Sequence, residues 1–167
     1  MRINVPQLLV ANLFFLSIPI LPVPQATHEV QFKTIGPHPM FSDNCERKNY
    51  IIEEQKDWVE LWKKAHSRTY RIENSRMVTS APTPPAVDFK KQMVIAVFQG
   101  SRTGSYSIEI TRLVRQGNKL TAFVEEKSPG RGCTVMSGLG CPSHMIVTDK
   151  SNRDLEFSLK QSTFNCR

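Results

Sequence analysis

The sequence predicts an α+β domain, a mainly antiparallel sheet of about five to seven strands with one covering amphipathic helix. Three observations predict it. Trp58, Leu61, Trp62 and Ala65 recur at helical spacing, whereas Met93 to Gly100 is a continuous apolar run with no polar face. Beyond that run, apolar and polar residues alternate, starting with Tyr106, Ile108 and Ile110 against Ser107, Glu109 and Thr111. The first pattern puts apolar side chains on one face of a helix, the second marks a strand buried on both sides, and the third marks half-exposed strands.

Taken in order, the chain opens with a segment that is not part of this domain. Met1 to about Ala26 holds one basic residue, Arg2, then runs uncharged from Leu8 to Leu21 and meets Pro22, Val23 and Pro24. Such a stretch is short for a bilayer span and suits the apolar region of a secretory leader. Residues 1–26 are therefore expected to be a signal peptide, and 27–167 a single domain with its core at 88–160. Pro19, Pro22 and Pro24 break a helix, which argues against an uncleaved membrane anchor. No cysteine stands near the leader to carry a lipid, because the first is Cys45.

The mature part begins with a loosely alternating stretch, His28 to Ile35, expected as a short strand and ended by Gly36 and Pro37. Lys48 to Glu53 reads as another strand. The helix follows from about 55 to 66, its second face charged through Lys63 and Lys64. Ser67 to Ala86 shows no sustained period and ends in Ala81-Pro-Thr-Pro-Pro85, so it reads as a long polar connection. After the apolar strand, Gln116-Gly-Asn118 is a turn and Leu120, Ala122 and Val124 resume the alternation. Met145 and Val147 mark a further strand, and Leu155, Phe157 and Leu159 the last, after the polar turn 151–154.

Cys45, Cys133, Cys141 and Cys166 form an even set in a chain expected to be exported, so they read as disulfides. Three pairings are possible. Cys133 with Cys141 across a short glycine-containing loop, and Cys45 with Cys166 near the two ends, is the favoured one. The spacing that structural zinc prefers is missing, as is a Cys-x-x-Cys pair for redox work.

Composition narrows function further. Lys plus Arg number 22 against 15 Asp plus Glu, a formal +7, yet the cations are scattered singly or in pairs. A nucleic-acid binder would gather them, so a solvated basic surface or an acidic protein partner is the better reading. His28, His38, His66 and His144 stand at no metal-ligand spacing. Ser105 and Ser107 lack a nucleophile elbow, and Ser137 to Gly140 lacks the helix and lysine of a phosphate loop. Glu125 and Glu126 point to opposite faces of a strand and cannot cooperate. No catalytic constellation, metal site or cofactor is expected.

Gly100 and Gly104 flank Ser101-Arg-Thr103 between two strands, the pattern of a tight loop that needs positive φ. Arg102 and Tyr106 beside it are residue types that dominate protein contacts. The loop around Ser101 to Ser105 and the one from Ser128 to His144 both join core strands and could share one end of the sheet. His144 is the one histidine within the core region, read as a strand-end residue or a partner contact.

Arg47 to Phe157 resembles the C-terminal domain of the PrcB-type subunits of bacterial secreted protease complexes. The likeness runs through Trp58-Val-Glu-Leu-Trp62, Val87-Asp-Phe-Lys90, and Gly100 followed by Thr103-Gly-Ser-Tyr106. It continues through Ser128-Pro-Gly-Arg-Gly-Cys133 and Cys141-Pro-Ser-His-Met-Ile-Val147 with Lys150 behind. Relatives usually read Thr-Gly-Gly-Tyr where this chain has Ser105, and tend to place Tyr where it has Ser143. The resemblance implies a secreted or periplasmic, noncatalytic accessory protein that associates with and stabilises a secreted protease. Arg102, Thr103, Gly104, Ser105, Tyr106, Arg131 and His144 are its candidate partner-binding residues. An inhibitor-like factor, or a free-standing domain binding a small ligand between helix and sheet, is the alternative.

Overall fold

The computed structural model describes residues 26–36, 45–67, 70–73, 76–79, 81–135 and 138–166. The leader expected over 1–26 and His38 lie essentially outside them. The architecture corrects the predicted one. In place of one sheet under a helix there are two four-stranded sheets packed face to face, with a short helix on the outer side of one, so the fold is mainly β.

The first sheet holds β1 (Thr27–Val30), β8 (Ser107–Gln116), β9 (Lys119–Pro129) and β12 (Asp154–Phe164) in the order β1-β8-β9-β12. The second holds β2 (Phe32–Thr34), β11 (Ser143–Asp149), β6 (Gln92–Phe98) and β3 (Lys48–Ile52) in the order β2-β11-β6-β3. β1 and β2 are separated by Gln31 alone, so one extended segment crosses from sheet to sheet and closes that side. Thr148 Oγ1 donates to the Gln31 carbonyl at 2.9 Å and fixes the crossing. On the opposite side the two edge strands are β3 and β12. Pairing is antiparallel except between β9 and β12, which run parallel over their whole length.

β6 explains why its residues are apolar throughout. Met93, Ile95 and Val97 face the first sheet, where they meet Ile108, Ile110, Leu113, Leu120, Ala122 and Val124. Val94, Ala96 and Phe98 face the helix α1 (Gln55–Ala65) and meet Trp58, Leu61, Trp62 and Ala65. A strand between two apolar layers has no solvent side on which to place polar residues. Asp57 in the first helical turn and Lys63 and Lys64 in the last complement the helix dipole.

In β8 the alternation breaks at a bulge between Ile110 and Arg112. The extra residue shifts the phase, so Ile108, Ile110 and then Leu113 point inward. Arg112, turned outward, lies over the Phe123 ring at 4.2 Å. On the same outer face, desolvation pushes the Glu125 carboxyl up, but Lys127, the Ser162 hydroxyl and Lys160 outweigh it and hold it below the usual carboxylate value.

The segment expected as a structureless connection contains a hairpin, β4 (Tyr70–Glu73) with β5 (Arg76–Thr79). Its proline-rich end is bound to the helix. Trp58 Nε1 donates to the Pro85 carbonyl at 3.0 Å and Trp62 Nε1 to the Pro82 carbonyl at 2.7 Å. The four cysteines are all bridged, as expected, but with exchanged partners: Cys45 with Cys141, and Cys133 with Cys166.

Candidate protein-contact rim

β6, β8, β9, β11 and β12 all begin or end at one end of the sandwich, and both disulfides lie there. Ser107 is level with Lys127 and Ser162 in one sheet, and Lys48 with Phe98 and Ser143 in the other. Two short strands add a ribbon. β7 (Arg102–Thr103) pairs with β10 (Leu139–Gly140), placing Leu139 opposite Thr103 and Gly140 opposite Arg102. The 101–105 and 128–144 loops are therefore hydrogen-bonded neighbours at one end of the sandwich.

The turn chemistry is local. Gly100 has φ +87°, and a Cβ there would lie 3.3 Å from Arg47 Cβ. The second positive-φ residue is not Gly104, as expected, but Ser105 at φ 80°. Glycine adopts that conformation freely and serine does so at a cost. Around the turn, Arg102 and Tyr106 are half-buried and Thr103 is exposed. Leu139 is 65% exposed, the most exposed large apolar side chain among the described residues. Sequence reading overlooked it inside a glycine-flanked loop, although an apolar residue between Gly138 and Gly140 is itself a signal.

Beneath the rim sits a buried carboxylate. Glu126 is 4% exposed; Arg47 Nη2 donates to its Oε1 at 2.6 Å and Gln161 Nε2 to its Oε2 at 3.2 Å. Arg47 thus ties the chain leading into β3 to the far sheet, next to the Cys45–Cys141 bridge. The alternation separates Glu126 from Glu125, which faces outward to Lys127 and Lys160. Two polar atoms near this end, Gln99 Oε1 and Ser143 Oγ, are buried without a hydrogen bond.

His144 is not on the rim. It is 7% exposed, and its Nδ1 accepts the Ile110 amide hydrogen at 3.0 Å. An amide can only donate, so Nδ1 is unprotonated and Nε2 carries the hydrogen toward Thr34 Oγ1, 3.2 Å away. The ring joins the two sheets and satisfies an amide at the bulge. His144→Ala should cost about 2–4 kcal/mol, the orphaned amide plus the cavity, in a urea melt. His144→Asn, which can keep an acceptor near Nδ1, should lose less. A change in partner binding without loss of stability would contradict this structural role. Arg131 is exposed on the loop that Cys133–Cys166 pins to the end of β12.

Between Ile51, Met93 and Leu155 on the open side lies a cleft of about 320 Å³, with Glu53, Ser151, Asn152 and Arg153 around it. It opens between the sheet edges. No group of three or more histidine, cysteine or acidic side chains among the described residues could hold a metal.

Part of the chain matches a known family. Residues 93–149 match the PrcB C-terminal family. The match spans about a third of the chain, from β6 through β11, and contains the β7–β10 ribbon. It bears out the PrcB-type resemblance read from the sequence over its central part. No curated protein and no solved structure matches the chain. The PrcB C-terminal match points to an accessory domain associated with a protease complex. The two disulfides suit an oxidising extracellular or periplasmic environment, and no described helix is long and apolar enough to cross a membrane.

Proposed function

We propose that this protein is an exported, noncatalytic accessory domain that binds and stabilises a secreted protease through the rim formed by the β7–β10 ribbon. Residues 1–26 act as its leader and 27–167 form the mature domain. The observation that carries the reading is the position of the ribbon within the segment matching the PrcB C-terminal family. There Arg102, Tyr106 and the exposed Leu139 stand on a turn held by Cys45–Cys141 and by the Arg47–Glu126 ion pair. A rigid turn presenting an arginine and an aromatic loses little entropy on docking, and such residues supply most of the energy at protein interfaces.

The test is capture of a protease from the native envelope and culture fluid on the oxidised mature protein, followed by lifetime and turnover assays. The protease should persist longer with the domain than without it, at unchanged turnover. Arg102→Glu combined with Leu139→Asp should weaken binding about 30-fold or more, the scale of losing a hot spot, while leaving the melting temperature near its wild-type value. Blocked turnover would identify an inhibitor instead. Undiminished binding by the double variant would move the contact off the rim.

A further inference from the structure

β12 is the open edge of the first sheet, and its sequence is complementary to itself. The strand pairs with β9 on one side only. The Asp154 amide and the Ser162 and Phe164 carbonyls are engaged on the β9 side. Backbone groups alternate sides along a strand, so Leu155, Phe157, Leu159 and Gln161 turn theirs to the free edge. Among the described residues nothing pairs with that edge. Long free edges are usually shortened, covered or charged against pairing; β12 runs for 11 residues and carries Leu159 at 48% exposure.

Side-chain directions complete the pattern. Leu155 and Phe157 point between the sheets, and Leu159 shares their side of the strand. Glu156 and Lys160 point to the outer face, where they meet Lys119 at 2.6 Å and Glu125 at 3.5 Å. Laid antiparallel on a second β12 about a two-fold axis at Ser158, Glu156 stands opposite Lys160, and Phe157 opposite Leu159, each pair occurring twice. Leu155 meets Gln161. A lone edge lysine would repel its own copy; Glu156, placed symmetrically across Ser158, converts that repulsion into attraction.

We propose that the protein forms a two-fold dimer in which β12 pairs antiparallel with β12 of a second copy, joining two four-stranded sheets into one continuous sheet. The odd-numbered residues then supply the hydrogen bonds, as hydrogen-bonded pairs of 157 with 159 and 155 with 161. Leu159 and Phe157 of both copies form one apolar cluster on the inner side, and the two Glu156–Lys160 pairs fix the register on the outer side. The dimer depends on neither the rim nor a protease.

Sedimentation velocity of the oxidised mature protein over a concentration series tests this. A monomer–dimer equilibrium is expected, with amides of Phe157 and Leu159 gaining hydrogen-exchange protection as concentration rises. Lys160→Glu and Glu156→Lys should each weaken the dimer about tenfold or more, since both copies of the pair become like-charged. The combined Glu156→Lys/Lys160→Glu variant should recover much of the loss. Both side chains are exposed, so thermal melts of the single variants at monomeric concentration should stay close to wild type and separate weakened pairing from misfolding. Leu159→Lys should give monomer. A monomer at every concentration, or a dimer that ignores both single reversals, would overturn the proposal.

Discussion

Trp62→Ala is expected to destabilise the protein by about 3–5 kcal/mol, read as a lowered urea midpoint. The indole is fully buried between α1 and the helix-facing side of β6, where it meets Trp58 edge-on at 5.1 Å and the His66 ring at 4.0 Å. Its Nε1–H also holds the Pro82 carbonyl at 2.7 Å. Truncation therefore opens a cavity in the helix–sheet layer and releases one of the two bonds that fasten the proline-rich segment across the helix. Trp62→Phe separates these effects. It keeps most of the volume and loses the donor, so about 1–3 kcal/mol should disappear with it, the cost of an unsatisfied carbonyl together with a smaller ring. An unchanged midpoint for Trp62→Ala would mean that the helix does not pack on the sheet.

What sequence disclosed, and what it hid, follows from the range of the interactions involved. The helix was legible because Trp58, Leu61, Trp62 and Ala65 announce one apolar face within three turns, and it spans Gln55–Ala65 against an expected 55–66. The sandwiched nature of β6 was legible because both its faces are apolar. Which sheet a strand joins was not, since alternation reports only that a strand has one buried face. The link from β11 to β12 shows the difficulty. Residues 150–153 look like a hairpin turn, yet β11 lies in one sheet and β12 in the other, where it runs parallel to β9. A short polar link serves a hairpin or an arch between sheets equally well, and only long-range pairing separates them. His144 was legible as a strand-end residue, but its bond across the sheets was not, because the amide it satisfies lies at a bulge 34 positions away. The rim was half legible. Arg102 and Tyr106 stood out beside the glycine turn, while the partner that makes Arg102 and Thr103 part of a ribbon lies inside the second loop.

Removing the Cys45–Cys141 bridge, as Cys45→Ala/Cys141→Ala, should cost about 4–5 kcal/mol, against about 3–4 kcal/mol for Cys133→Ala/Cys166→Ala. The order follows from loop length. The first bridge joins residues 96 apart and the second residues 33 apart, and the entropy withheld from the unfolded chain grows with the logarithm of that separation. Native surroundings push the same way. Cys141 is 2% exposed within the helix–sheet core, with Cys45 packed against that cluster, whereas Cys166 is exposed. Peptide mapping of unreduced protein should recover Cys45 with Cys141 and Cys133 with Cys166. Recovery of Cys133 with Cys141 would restore the local pairing that sequence favours and detach the rim from β3. Function should respond more than stability does. Without the first bridge, the strand carrying Gly140 is no longer covalently tied to the chain before β3, while the Arg47–Glu126 pair continues to link that chain to the first sheet. Glu126 is buried but Arg47 is half exposed, so this single hydrogen-bonded pair stays in place while holding the chain less firmly than the covalent bridge does. The variant should bind the protease partner proposed above more weakly than wild type at temperatures where both are fully folded, because a looser turn must be ordered on docking. Equal affinity of folded variant and wild type would show that the rim keeps its shape without the bridge.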